Sequence, residues 1–254
     1  MNLLLIFLAV LPIILIAMYF YKKDTLKESK KLLQKLFFSG FLATILVIVI
    51  SVIVIIIIPE FANIENASLL KIFVYSFIFV ALIEEFSKWL MIYKISYNDK
   101  EFDQLYDIVL YSVIVGLGFA CLENILYVLE EGNGMIIAIF RAITAVPAHA
   151  CFQTFMGYYL SLSKFGNKEK KNKYLTLSIL IPVLLHGTYD FLLLSQNIIL
   201  VCIFLLFVIT MFIFTILKIK KIIRDDSNNL KRSICPTCNT IIEYNFCPTC
   251  GYKK

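Results

Sequence analysis

The sequence has little charge and only two histidines. Charged residues make up 17% of its 254 residues and hydrophobic residues 60%, with a mean hydropathy of +0.85. A soluble domain is about 45 to 50% apolar, so this composition excludes an ordinary cytosolic enzyme. The basic residues are not interleaved with aromatic residues or glycine-rich tracts, and we therefore expect no nucleic acid as a partner.

Long apolar runs fill most of the chain. A helix needs about 20 mostly apolar residues to cross a bilayer, and these runs lack the alternation of membrane strands. We therefore expect an all-α polytopic membrane protein in contact with membrane lipid. The seven expected transmembrane helices cover residues 1–21, 36–58, 69–95, 105–129, 135–162, 174–194 and 198–217.

The charges between these runs predict the orientation. Lys and Arg of short loops stay in the cytoplasm, and here they concentrate in loops 22–35 and 163–173 and after residue 217. The first run has no basic start and no small-residue cleavage site, so we expect a retained anchor. The N-terminus should then lie outside the plasma membrane and the C-terminus in the cytoplasm.

Charged groups interrupt four consecutive expected spans, where each costs about 2.5 to 3.5 kcal/mol at a helix centre. Structural contacts between membrane helices would favour Ser, Thr or Asn, so we predict a functional cluster that includes both histidines. Its members are Glu84, Glu85, Lys88, Glu123, Asn124, Arg141, His149, His186 and Asp190.

Helical spacing divides this cluster into faces. Glu84 and Lys88 are four residues apart, as are His186 and Asp190, so each pair shares one side of its helix. Glu84 and Glu85 differ by about 100° around the axis. Only one of these two glutamates should therefore point into the centre of the bundle.

Several chemistries use these residue types. A carboxylate can deprotonate water while histidine stabilises an oxyanion, which together hydrolyse an amide. The two histidines with Glu123 or Asp190 could equally bind catalytic zinc. A proton- or ion-coupled transporter would also use buried acids, although no inverted repeat or pair of broken helices is visible. A receptor without enzymatic activity would leave the buried charges unexplained.

Four short blocks resemble the PrsW family of intramembrane proteases, which are relatives of the CPBP (CAAX-processing) proteases. They occur in the family's order between residues 84 and 190. The blocks are Glu84-Glu85-x-x-Lys88, Gly118-Phe119-x-x-x-Glu123-Asn124, Arg141 with Pro147-Ala148-His149 and Gly157-Tyr158, and His186-x-x-x-Asp190.

This resemblance implies an intramembrane endopeptidase of bacteria that cuts a single-span protein, such as an anti-sigma factor. It implies that Glu84 or Glu85, from the block that includes Lys88, is the general base. It also implies that His186 and His149 bind or stabilise the oxyanion, and that Glu123 and Asp190 orient these partners. Whether catalysis needs a metal stays open.

Four of the seven cysteines form two CxxC pairs near the C-terminus. Four thiolates in this arrangement suit structural zinc, and the segment resembles a zinc ribbon. We expect a protease domain over residues 1–217, a linker over 218–233 and a ribbon over 234–254, which could contact a cytosolic partner. The expected zinc ligands are Cys235, Cys238, Cys247 and Cys250.

Overall fold

The computed structural model describes residues 3–130, 134–240 and 249–252. These ranges form helices and no extended strand, which confirms the all-α class. The α-helices are α1 (Leu3–Lys23), α2 (Lys30–Ile57), α3 (Leu69–Val74), α4 (Ile83–Ser96), α5 (Leu105–Glu130), α6 (Gly134–Ile143), α7 (Ala145–Phe165), α8 (Lys171–Leu194) and α9 (Ile198–Ser233). Two 3₁₀ turns, Pro59–Phe61 and Lys168–Lys170, and a π-helix, Tyr75–Leu82, complete the fold.

Six helical stretches of the described chain are long and apolar enough to cross a membrane, so the protein is a multi-pass membrane protein. They contain α1, α2, α5, the pair α6 and α7, α8, and α9. The outer helices expose large aliphatic side chains such as Ile56 and Leu206, which are 72% and 66% exposed. Such an apolar outer surface fits a lipid environment.

The third expected span, residues 69–95, is helical throughout but is not one α-helix. It passes from α3 through the π-helix into α4. In a π-helix each N–H bonds to the carbonyl five residues earlier, a geometry that is often found at functional sites. The largely apolar residues of the π-helix gave no sign of this altered hydrogen bonding, which lies directly before Glu84 and Glu85.

The span expected over residues 135–162 is interrupted at Thr144, which separates α6 from α7. Pro147 lies in the first turn of α7 and has no N–H to bond the carbonyl of Ile143, the last residue of α6. The interruption allows α6, which carries Arg141, and α7, which carries His149, to take different directions.

Helix α5 lies at the centre of the bundle and packs on α1, α2, α4 and α7. Two of its glycines make close approaches possible. A Cβ atom at Gly118 would lie 2.0 Å from the carbonyl oxygen of Phe37 in α2, and one at Gly116 would lie 2.3 Å from Cγ of Gln153 in α7. Gly116 therefore leaves the space that the Gln153 side chain occupies.

Residues 218–233, which we expected to act as a linker, instead continue α9 without a break. The segment is helical because it contains no glycine or proline that would end the helix, and it still joins the expected domains. Asp226 in this part accepts hydrogen bonds from the N–H groups of Leu105 (2.9 Å) and Tyr106 (2.8 Å) at the start of α5.

Other buried acids lie at this end of the bundle and bind backbone or tyrosine donors. Asp107 accepts hydrogen bonds from the N–H groups of Asp103 (2.9 Å) and Gln104 (2.6 Å). Tyr111 donates its hydroxyl proton to Glu28 in the loop between α1 and α2. We call the four buried acids the end cluster: Asp24, Glu28, Asp107 and Asp226.

Candidate active site

The two glutamates that open α4 have different surroundings. Glu84 is 7% exposed and faces a cavity, whereas Glu85 is completely buried behind it. The sequence predicted that only one of these two glutamates points into the centre of the bundle, but not which one. The structure places Glu84 at the cavity and Glu85 in the surrounding hydrogen-bond network.

Lys88 joins both glutamates from the next turn of α4. Its Nζ lies 3.0 Å from Oε2 of Glu84 and 2.8 Å from Oε1 of Glu85, and 3.9 Å from the centre of the Phe119 ring. The side chain is completely buried. Charges so far from water persist only when paired, so Lys88 holds both carboxylates in place and balances one of their two negative charges.

His149 of α7 connects Lys88 to α5. Its Nδ1 lies 3.3 Å from Nζ of Lys88, and its Nε2 lies 2.9 Å from Oε2 of Glu123. A lysine ammonium can only donate hydrogen bonds, so Nδ1 is the acceptor and Nε2 donates to Glu123. The same Glu123 oxygen lies 2.9 Å from Nη2 of Arg141.

His186 of α8 lies between two carboxylates. Its Nδ1 is 2.8 Å from Oε1 of Glu85 and 4.0 Å from Oε2 of Glu84, and its Nε2 is 3.3 Å from Oδ2 of Asp190. The expected pairing of His186 with Asp190, four residues later, is thus present. The structure brings together all seven expected catalytic residues: Glu84, Glu85, Lys88, Glu123, His149, His186 and Asp190.

The sequence analysis did not identify Gln153 as part of this site. Its Nε2 donates to Oε2 of Glu85 at 2.7 Å, and the side chain is completely buried. Gln153 lies four residues after His149 and therefore on the same face of α7, which is the signal that could have found it. Because Lys88, His186 and Gln153 all bind Glu85, that carboxylate is fixed from three sides.

Arg141 has a supporting position beside this network. In addition to Glu123, it contacts Asn124, whose Oδ1 accepts a 2.6 Å hydrogen bond from Nε of Arg141. Asn124 in turn donates to the carbonyl of Ala9 in α1 at 3.2 Å. The contacts of Arg141 with Glu123 and Asn124 link α6 to α5, and Asn124 links α5 to α1.

A cavity of about 310 Å³ opens beside these groups, and its volume is within the range of ligand sites. Glu84, His149, His186 and Asp190 face it together with Arg141 and Glu123. Tyr75, Tyr127, Phe152 and Tyr189 form much of its remaining wall. A carboxylate, imidazoles and a cation therefore face one space of substrate size.

The donor set at this cavity fits a divalent metal ion. One oxygen of Glu84, one of Glu85 and one ring nitrogen of His186 lie within 4.8 Å of one another, and zinc accepts such oxygen and nitrogen ligands at about 2.0 to 2.2 Å. In the expected alternative set with both histidines, His149 has both ring nitrogens in contact with Lys88 and Glu123, as His186 has with Glu85 and Asp190. Either histidine would exchange one of these contacts for a metal ion.

The C-terminal cysteines form a separate cluster. Sγ of Cys235 lies 3.4 Å from Sγ of Cys250, and Cys238 is close enough to share a metal ion with them. The N–H of Asn239 bonds to the carbonyl of Cys235 at 3.0 Å, which forms a tight turn around the first CxxC pair. The fourth expected ligand, Cys247, lies outside the described residues.

Comparison with models of protein families identifies the family of this chain. The model of the PrsW family of intramembrane metalloproteases matches residues 28–217, which include every expected catalytic residue. The chain belongs to the PrsW family. It is thus a member of a family of membrane-embedded peptidases, and the alternative of an ion-coupled transporter is not favoured.

Curated relatives of this PrsW family member carry the name Protease PrsW. The chain is 37% identical over 182 residues to the protein of Oceanobacillus iheyensis and 36% identical over 183 residues to that of Bacillus subtilis; each alignment covers 72% of this chain and 79% of the relative. It is 48% identical to the Geobacillus kaustophilus protein over 122 residues, 48% of this chain, and so spans about half (53%) of that relative. No solved structure matches the chain.

Proposed function

We propose that this PrsW-family chain is an endopeptidase that hydrolyses a peptide bond of a membrane-spanning protein. The observation that carries the proposal is the position of Glu84 and His186 on one cavity, with Oε2 and Nδ1 4.0 Å apart. That separation places a carboxylate and an imidazole within reach of one substrate group, and the two do not bond each other closely.

In the proposed reaction Glu84 removes a proton from water as the water oxygen attacks the peptide carbonyl carbon. His186, oriented by Asp190, stabilises the negative charge that develops on the carbonyl oxygen. When the C–N bond breaks, the leaving nitrogen receives the proton from Glu84. A divalent metal bound by Glu84, Glu85 and His186 would supply Lewis acidity to the same step.

The proposed substrate is a single-span protein of a bacterial plasma membrane, such as an anti-sigma factor, and the cut would be the first of a regulated series. The basic loops 22–35 and 163–173 support an orientation with the N-terminus outside and the C-terminus in the cytoplasm. Reporters fused after Lys254 and at Asn63 should then report cytoplasm and exterior, respectively. A C-terminal reporter found outside would overturn this topology.

The function is tested by co-expression of the chain with candidate single-span proteins. Glu84→Gln should reduce cleavage by about 100-fold or more, because it removes the proposed general base. Glu60→Gln makes the same chemical change on the exposed turn after α2 and should cleave like wild type. Equal cleavage by wild type and Glu84→Gln would refute the proposed role.

We further propose that Cys235, Cys238, Cys247 and Cys250 bind one structural zinc ion and present the ribbon to a cytosolic partner. Replacing all four by Ser in the full chain should remove one zinc per molecule while cleavage continues. This variant also tests the catalytic metal, because a chelator that abolishes its activity can act only elsewhere. Full activity after metal removal would support glutamate catalysis without a metal.

A further inference from the structure

A second cavity of about 180 Å³ lies beside the active-site cavity, between α2 and the π-helix. The two cavities share Tyr75, Val80, Glu84 and Tyr127 in their walls. The two cavities therefore adjoin at these four residues, and we call the second one, beside α2, the cleft. The cleft ends at the face of α2 that carries Val47, Ser51, Val54 and Ile55.

The π-helix explains how this wall forms. Tyr75 and Glu84 are nine residues apart, and nine steps of an α-helix turn about 900°, which would place them on opposite sides. The i→i+5 bonding of the π-helix adds roughly one residue to each turn. Tyr75, Phe79, Val80 and Glu84 consequently line the same side of the cleft.

The cleft reaches the outside of the bundle. Helix α2 packs against α4, α5 and the turn Pro59–Phe61 but makes scarcely any contact with the π-helix. Ile55 lines the cleft and is also 42% exposed, so the edge of the cleft lies at the outer surface of the bundle beside α2. Phe61 closes one end by packing on Tyr75 and Phe79, with ring centres 6.2 and 4.4 Å apart.

We propose that this cleft is the lateral substrate site, which binds an unwound stretch of the membrane-spanning segment and leads it to Glu84. The inference rests on the proposed peptidase function. Peptide groups released from a helix within a membrane need new hydrogen-bond partners, and three residues that carry hydroxyl groups, Ser51, Tyr75 and Tyr127, line the cleft.

Two neighbouring residues of α2 provide a matched test. Val54 lines the cleft, whereas Ile53 points away and is 49% exposed. Val54→Phe should fill the cleft and lower kcat/KM for a membrane-spanning substrate at least tenfold, mainly by raising KM. Ile53→Phe should stay within twofold of wild type. Equal kinetics for the two variants would overturn the proposal.

A binding measurement covers the case in which Val54→Phe does not fold. A photo-crosslinking amino acid is placed at position 51 or, as the control, at position 53, in the Glu84→Gln background that retains uncut substrate. We expect crosslinks to the substrate segment from position 51 only. Equal crosslinking from both positions, or none from position 51, would contradict the lateral site.

The outcomes separate the two proposals. If wild type cleaves no membrane-spanning protein, the peptidase function fails. If wild type cleaves but position 51 never contacts substrate, the peptidase function stands and the lateral site is wrong.

Discussion

The protein buries acidic side chains in two regions and satisfies them in different ways. In the active site, Glu84, Glu85 and Glu123 bind Lys88 or Arg141 together with imidazole rings beside a cavity. In the end cluster, Asp107 and Asp226 receive backbone N–H groups, and Glu28 receives a tyrosine hydroxyl.

This difference separates structural acids from reactive ones. A carboxylate that accepts backbone N–H groups fixes the chain locally and needs no mobile partner. A carboxylate beside lysine, histidine and open space can exchange a proton with a substrate. Burial alone therefore does not identify a functional acid, whereas the type of partner and the presence of a cavity do.

The largest expected effect comes from removing the cation of the active site. Lys88→Met would leave two buried carboxylates uncompensated, and breaking such a buried pair costs about 3 to 5 kcal/mol. Unfolding in detergent should show this loss, and Glu85→Gln combined with Lys88→Met should recover much of the stability. A single variant as stable as wild type would contradict the role assigned to Lys88.

The next prediction compares how one substitution in each region changes the rate of cleavage. His186→Ala should reduce cleavage by about 100-fold, since it removes the group that stabilises the oxyanion. Glu28→Gln, in the end cluster, should leave cleavage near the wild-type rate because its partner Tyr111 can still donate to the amide oxygen. Similar losses of cleavage in the two variants would contradict the distinction between the active site and the end cluster.

A smaller effect on stability is expected at the start of α5, where Asp226 of the end cluster accepts backbone hydrogen bonds. Asp226→Ala removes the acceptor of the N–H groups of Leu105 and Tyr106, and losing such a cap costs about 1 kcal/mol. The apparent unfolding temperature should fall by about 2 to 4 °C in a chain of this size. Asp225→Ala, which changes the neighbouring and more exposed acid, is the control and should leave it unchanged.

A further expected effect is a pH dependence of stability. Burial raises the pKa of Glu28 from 4.5 to about 7, and it also raises the pKa of Asp24. The folded state thus binds these protons more tightly than the unfolded state, so stability should fall as pH rises from about 4.5 to about 7. Unfolding temperatures across this range should fall by a few °C in wild type and less in Glu28→Gln.

Much of the active site could be predicted from the sequence because each residue is unusual where it stands. Charged groups in apolar helices are costly, so Lys88, Glu123 and His186 were conspicuous against their neighbours. The pairing of His186 with Asp190 followed from helical spacing. These inferences needed only local sequence and the known cost of burying charge.

The remaining features depend on contacts that local sequence does not specify. Gln153 is uncharged, and its partner Glu85 lies 68 residues away. The π-helix occurs in a stretch that is apolar on every side, so periodicity could not reveal its hydrogen bonding. The assignment of Glu84 to the cavity follows from how α4 meets α8, which only the packed bundle determines.

The unbroken course of α9 has a consequence for the C-terminal cysteines. Asp226 holds the helix against the start of α5, and only seven more helical residues follow before it ends at Ser233. At 1.5 Å per residue these span about 10 Å. Cys235 is therefore carried on a short rigid arm and not on a flexible tether. A protein that binds there would be brought to the membrane surface, and adding one residue to the arm would rotate it about 100° around the axis.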